Sequence, residues 1–119
     1  MKLLRPKKKN LFDGDQENLF ASIFKIGCKK CSNEIELNPL DLKQTTSLSN
    51  EILELSLKKI SRLTKIDLGD IAFYKVNGLP LKWGELRCSE CNTRYIGFFG
   101  VGEYQPTRFM LTNVLLVEL

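Results

Sequence analysis

The sequence predicts a mainly β, α+β domain: a small antiparallel sheet stapled by a metal site, with one helix in its middle segment. Three observations predict it. All four cysteines fall into two CxxC pairs, Cys28/Cys31 and Cys88/Cys91. Most apolar runs alternate with period two and are separated by turn residues such as Asn77-Gly78, the pattern of half-buried strands joined by tight turns. Only residues 51–65 place apolar side chains at helical spacing.

A length of 119 residues suits one domain. With 43% apolar and 27% charged residues the chain reads as globular, and a core of this size gains much from a staple. The formal net charge of +4 is concentrated: Lys2, Arg5, Lys7, Lys8 and Lys9 precede residue 10, and the remaining basic residues nearly balance the acidic ones. This argues against a broad basic face of the kind that grips duplex nucleic acid. Histidine is absent, which removes Ser-His-Asp and Cys-His catalysis. Leu3 and Leu4 run directly into Arg5 and the lysines, leaving no apolar h-region for a signal peptide. No membrane membership is expected. The paired CxxC motifs point to a reducing cell interior, cytoplasmic or, in a eukaryote, nuclear.

In chain order, residues 1–18 read as a basic flexible arm and residues 19–119 as a single β-rich metal-binding domain. Arg5–Lys9 fits a solubilising tail, a localisation signal or a phosphate contact. Asp13-Gly-Asp-Gln-Glu17 lacks the full spacing of a calcium loop and reads as a turn. Residues 19–27 alternate as a strand apolar on both faces, and residues 34–37 as a half-exposed one. The polar residues 38–50 read as a loop. Asn50 is placed to cap a helix over 51–65, although Leu53, Leu55 and Leu57 also alternate as in a strand. Ile71–Val76 reads as a strand, Asn77-Gly78 as a hairpin turn, and 81–87 and 93–99 as the segments entering and leaving the second CxxC. Gly97, Gly100 and Gly102 mark bends or close backbone approaches. Residues 108–119 supply closing strands, with a break near Thr112-Asn113.

Each CxxC lies at a strand-to-strand turn, which points two sulfurs into one hollow. Two such turns give tetrahedral four-sulfur coordination, and Cys28, Cys31, Cys88 and Cys91 are the candidate ligands of one structural zinc. Iron and a redox dithiol are the other chemistries of this pattern. Lys25–Asn33 and Glu85–Thr93 resemble each other around the cysteines. Four protein thiolates leave no open position for an activated water, so such a site holds structure and carries no catalysis.

The paired CxxC motifs, followed by Tyr95, Gly97-Phe98 and a late Phe109-Met-Leu111 strand, resemble the β-tent group of zinc domains, which includes Yippee-like and centromere-licensing domains. A zinc ribbon is the neighbouring alternative. The resemblance implies a zinc-stapled sheet that mediates protein association, sometimes as a dimer. The reductase branch of the group needs a further catalytic cysteine, and its ligand-cage branch needs several tryptophans; this chain has neither. The expectation is therefore a non-catalytic, zinc-stabilised protein-interaction module of the cell interior, without a small-molecule substrate. Its partner surface would use Tyr95, Phe98 and Phe99 on the sheet and Lys7, Lys8 and Lys9 in the arm. The alternative is an RNA-binding or ribosome-associated accessory protein using the same arm and aromatics.

Overall fold

A computed structural model of the chain describes residues 2–4 and 9–119. The strands are β1 (Lys2–Leu4), β2 (Lys9–Gly14), β3 (Phe24–Gly27), β4 (Glu34–Leu37), β5 (Lys43–Gln44), β6 (Leu63–Leu68), β7 (Ile71–Val76), β8 (Leu79–Arg87), β9 (Arg94–Gln105) and β10 (Arg108–Glu118). Two α-helices, α1 (Gln16–Ala21) and α2 (Asn50–Leu57), and two short 3₁₀ turns complete the described residues. The mainly β, antiparallel class is as the alternation predicts, with one more helix. The main sheet runs β1-β10-β9-β8-β7-β6, with β2 also on β10 and β5 on β8; β3 and β4 form a separate hairpin.

The start of the chain differs from expectation. The described part of residues 1–18, expected as a flexible arm, holds two strands: β1 pairs with β10 through Lys2–Leu4, and β2 pairs along Phe109–Asn113. Leu4, Leu11 and Phe12 pack against the first core. Residues 19–27 are not one strand either. Asp15 caps α1, its carboxylate accepting from the N–H of Asn18 at 2.8 Å, and Leu19 is buried from the helix. An Asp followed by Gln-Glu favours a helix start, and that local cap outweighs the period-two pattern. The helix expected over 51–65 begins after Ser49 and ends at Leu57, and Leu63–Leu68 becomes β6. Thr64 and Ile66, both β-branched, fit a pleated surface better than a helix, and pairing with β7 satisfies their backbone. The expected loop over 38–50 contains β5 and both 3₁₀ turns; Trp83 Nε1 donates to the Gln44 carbonyl at 3.0 Å and ties this segment to β8.

The β7–β8 turn is as expected. Asn77 and Gly78 have φ of 51° and 79°, the left-handed pair that a two-residue type I′ hairpin requires.

The sheet separates two cores. On β9, Tyr95, Phe99 and Val101 join the first, while Ile96 and Phe98 join the second. The alternation places these cores on opposite faces. The first is covered by α1 and the β3–β4 hairpin, and the second by Leu48, Ile60 and the apolar side of α2. On β10 the phase reverses: Leu111 and Leu116 face the first core, Leu115 and Val117 the second. The cause is an irregularity between Asn113 and Leu115, since a one-residue slip turns every later side chain to the other face. This is the break that the sequence places near Thr112-Asn113. Buried Asn113 pins it, donating from Nδ2 to the carbonyls of Phe98 at 3.1 Å and Leu115 at 3.3 Å. Asn113→Ala is expected to destabilise the protein by about 1–3 kcal/mol, read from urea denaturation midpoints.

Gly97 is fixed by its neighbours. A Cβ there would lie 2.8 Å from Phe99 Cε2 and 3.1 Å from Leu86 Cδ1, so the glycine lets the Phe99 ring lie over the strand that leaves the second CxxC.

Candidate metal centre

The two CxxC segments fold alike. In the first, the N–H of Cys28 donates to the Asn33 carbonyl at 2.7 Å and that of Ser32 to the Cys28 carbonyl at 3.0 Å. In the second, Cys88 donates to Thr93 at 2.9 Å and Asn92 to Cys88 at 2.9 Å. The residue after each second cysteine is left-handed, Ser32 with φ 64° and Asn92 with φ 59°. Burial also repeats position by position from Ile26–Ile35 to Leu86–Tyr95: the first cysteine of each pair is buried and the second exposed. The local sequence likeness is thus a likeness of turn geometry. Small polar residues at 32 and 92 suit the left-handed position.

The first turn caps the β3–β4 hairpin and the second joins β8 to β9. They meet so that the four Sγ atoms all lie within 4.8 Å of one another. Across the turns, Cys28 Sγ is 3.7 Å from Cys91 Sγ and Cys31 Sγ is 3.4 Å from Cys88 Sγ. Four sulfurs at about 2.3 Å from a tetrahedral ion stand about 3.8 Å apart. The set therefore has the spacing to bind one metal ion, and the four predicted ligands come together.

Tyr95 supports this centre from beneath. Its ring is in the first core and its residue only 1% exposed. The hydroxyl accepts from the N–H of Lys29 at 3.2 Å and lies 3.4 Å from Cys28 Sγ, so its own proton is directed at the sulfur. This contact, together with backbone N–H groups and Cys91 and against the effect of burial, brings the Cys28 thiol down to about 6. Burial first, and then the adjacent Cys28, push Tyr95 up to about 12. Thr93 lies with Oγ1 3.1 Å from Cys91 Sγ and holds that thiol below its ordinary value. At Cys31 the Asn33 N–H acts downward, but Cys88, burial and the remaining sulfurs together push the thiol up to about 12. Crowding thus favours shared protons when no ion is bound, and a cation that displaces them relieves it.

A depressed Cys28 is a thiolate above about pH 6 and takes up its proton as pH falls through that value. Metal binding therefore weakens in that direction. Tyr95→Phe removes the donor, raises the Cys28 pKa and moves metal release to higher pH. It is expected to lower metal affinity about 10–100-fold, measured by competition with a chromogenic chelator across a pH series.

The other proposed site residues fare differently. Phe98 and Phe99 are 0% exposed and, with Tyr95, belong to the cores. They present no face to a partner, because β9 is central and covered on both sides. Phase explains this, since residues 95–101 are buried without a gap. Lys7 and Lys8 lie outside the described residues, and Lys9 has its backbone in β2 opposite Asn113. The role of Tyr95 at the sulfurs was not read from the sequence. Its signal is positional: Tyr95 occupies in the second segment the place of Ile35 in the first, and it alone of the two carries a polar tip.

A scan against protein-family models, a search of curated proteins and a search of solved structures each returned no match.

Proposed function

We propose that the chain is a zinc-stabilised, non-catalytic protein-interaction module of the cell interior, with one structural zinc held by Cys28, Cys31, Cys88 and Cys91. The observation that carries this reading is the four-sulfur cluster formed by two matched turns. Soft thiolates in tetrahedral array favour zinc over the hard divalent cations, and a ligand set complete in sulfur leaves no place for a reacting water. The exposed Lys29 beside the cluster offsets part of its negative charge, whereas Lys30 pairs with Glu118 at 3.6 Å. A β-tent relationship belongs to the same proposal and is supported by the paired turns meeting beside an antiparallel sheet. Among the described residues no helix is long and apolar enough to cross a membrane.

The nucleic-acid alternative loses Tyr95, Phe98 and Phe99 as stacking residues through their burial, and retains the half-buried Tyr74, Trp83 and Tyr104 together with the basic residues before position 10. Affinity capture with the zinc-loaded chain, alongside RNA and DNA titrations over a salt series, tests both readings. The proposal expects a reproducible protein partner and no nucleic-acid binding at low salt. A steep salt-dependent affinity that vanishes on charge removal at Lys7, Lys8 and Lys9, without a protein partner, would reverse the order.

A further inference from the structure

The β6–β7 hairpin ends the main sheet, and among the described residues β6 pairs only with β7. Strand β7 pairs with β8 at Lys75–Pro80 and Val76–Leu79, its outer part lies against the second 3₁₀ turn, Thr45–Ser47, and β6 is left as the outermost strand. The hairpin register is unbroken from Leu63–Val76 to Leu68–Ile71. Residues directly opposite, and residues two apart, share a face. One face carries Leu63, Tyr74 and Val76, which join the second core. The other carries Ile66, Leu68, Ile71 and Phe73, none of which belongs to either core. Leu68 and Ile71 are 61% and 50% exposed.

A free edge strand invites pairing, and proteins block it with proline, bulges, short length, cover or charge. Strand β6 has six residues, no proline and an unbroken register. Its charged side chains are Lys65 and Asp67, of opposite sign, on one face and 3.4 Å apart. Charges of one sign would repel a second copy of the same strand. This alternating pair does the reverse for one arrangement. In an antiparallel two-fold register centred on Ile66, Lys65 of each copy stands opposite Asp67 of the other, and Leu68 opposite Thr64. Ile66 then sits beside its counterpart, and the two apolar faces adjoin across the axis.

We infer that β6 is a self-association edge and that its occupant is β6 of a second copy of this chain, paired antiparallel about Ile66. The inference rests on the reading of the chain as an association module and names the surface it uses. One edge strand per copy buries far less than the ~800 Å² per partner of stable complexes, so the dimer is weak and reversible.

Sedimentation equilibrium of the full metal-loaded chain over a concentration series tests this. The expected result is a reversible monomer–dimer equilibrium. Lys65→Asp and Asp67→Lys each place like charges opposite one another twice and weaken it by about tenfold or more, with unchanged thermal melting because both side chains are exposed. An equimolar mixture of the two variants restores association, because each then faces its opposite. A wild type that stays monomeric throughout, single variants that dimerise like wild type, or a mixture that fails to recover would each overturn the inference. A monomeric wild type that still captures another protein would sink this edge alone and leave the association reading standing.

Discussion

Replacing Cys88 with serine is expected to abolish cooperative folding. A structural zinc contributes on the order of 10–16 kcal/mol in small zinc domains, while a whole domain is stable by only about 5–15 kcal/mol. The loop between Cys31 and Cys88 holds about 56 residues, and an ion bound by the four sulfurs would close it. Cys88 is also fully buried, so its replacement confounds lost metal with lost packing. Cys31→Ser separates them, because Cys31 is an exposed member of the cluster. If the ion is the staple, Cys31→Ser unfolds the chain nearly as completely as Cys88→Ser, and chelation of the wild type does the same. Circular dichroism and thermal melting read all three. A Cys31→Ser protein that melts like the wild type would assign the cysteines to packing.

Deleting residues 1–14 is expected to cost on the order of 3–5 kcal/mol. The sequence alone presents this segment as dispensable; the fold does not. The deletion removes β1 and β2 from the edge of β10 and strips Leu4, Leu11 and Phe12 from the first core and Leu3 from the second. Each such side chain, fully buried, is worth about 1.5–3 kcal/mol, and these are partly buried. It also breaks the contacts of Asp13, whose carboxylate accepts from Tyr104 at 2.6 Å and Arg108 at 2.8 Å across the sheet. These hold its pKa below the ordinary value, so the contribution is present above the unfolded-state pKa and is lost as pH falls through the folded one. Urea midpoints at neutral pH measure the deletion; an unchanged midpoint would return the segment to the status of a tail.

The meeting of the four cysteines was legible because its signal is local and discrete. Cys28, Cys31, Cys88 and Cys91 carry their chemistry in residue type and spacing, and matched flanks give matched turns. Asn77-Gly78 was legible for the same reason, since few sequences adopt two successive left-handed residues. The break near Thr112-Asn113 was also visible, as a polar pair inside an apolar run. The misreadings share a different cause. The Leu19–Gly27 pattern fits a strand on both faces, but a single cap at Asp15 decides its first part. The Asn50–Leu57 helix and the β6 strand compete over one amphipathic stretch, and the boundary is set by β7, which lies further along the chain. Tyr95, Phe98 and Phe99 have the composition of a binding surface. Their burial depends on β9 being central, which depends in turn on β10 and the chain's start pairing where local pattern gives no hint.

One zinc ion held by the four sulfurs is the centre of the proposed function. Elemental analysis of the purified, folded chain by plasma mass spectrometry, paired with native mass measurement, tests it most directly. The expected result is one zinc per chain, retained through gel filtration and lost together with the folded state on strong chelation. A cooperatively folded sample that carries no metal would contradict it.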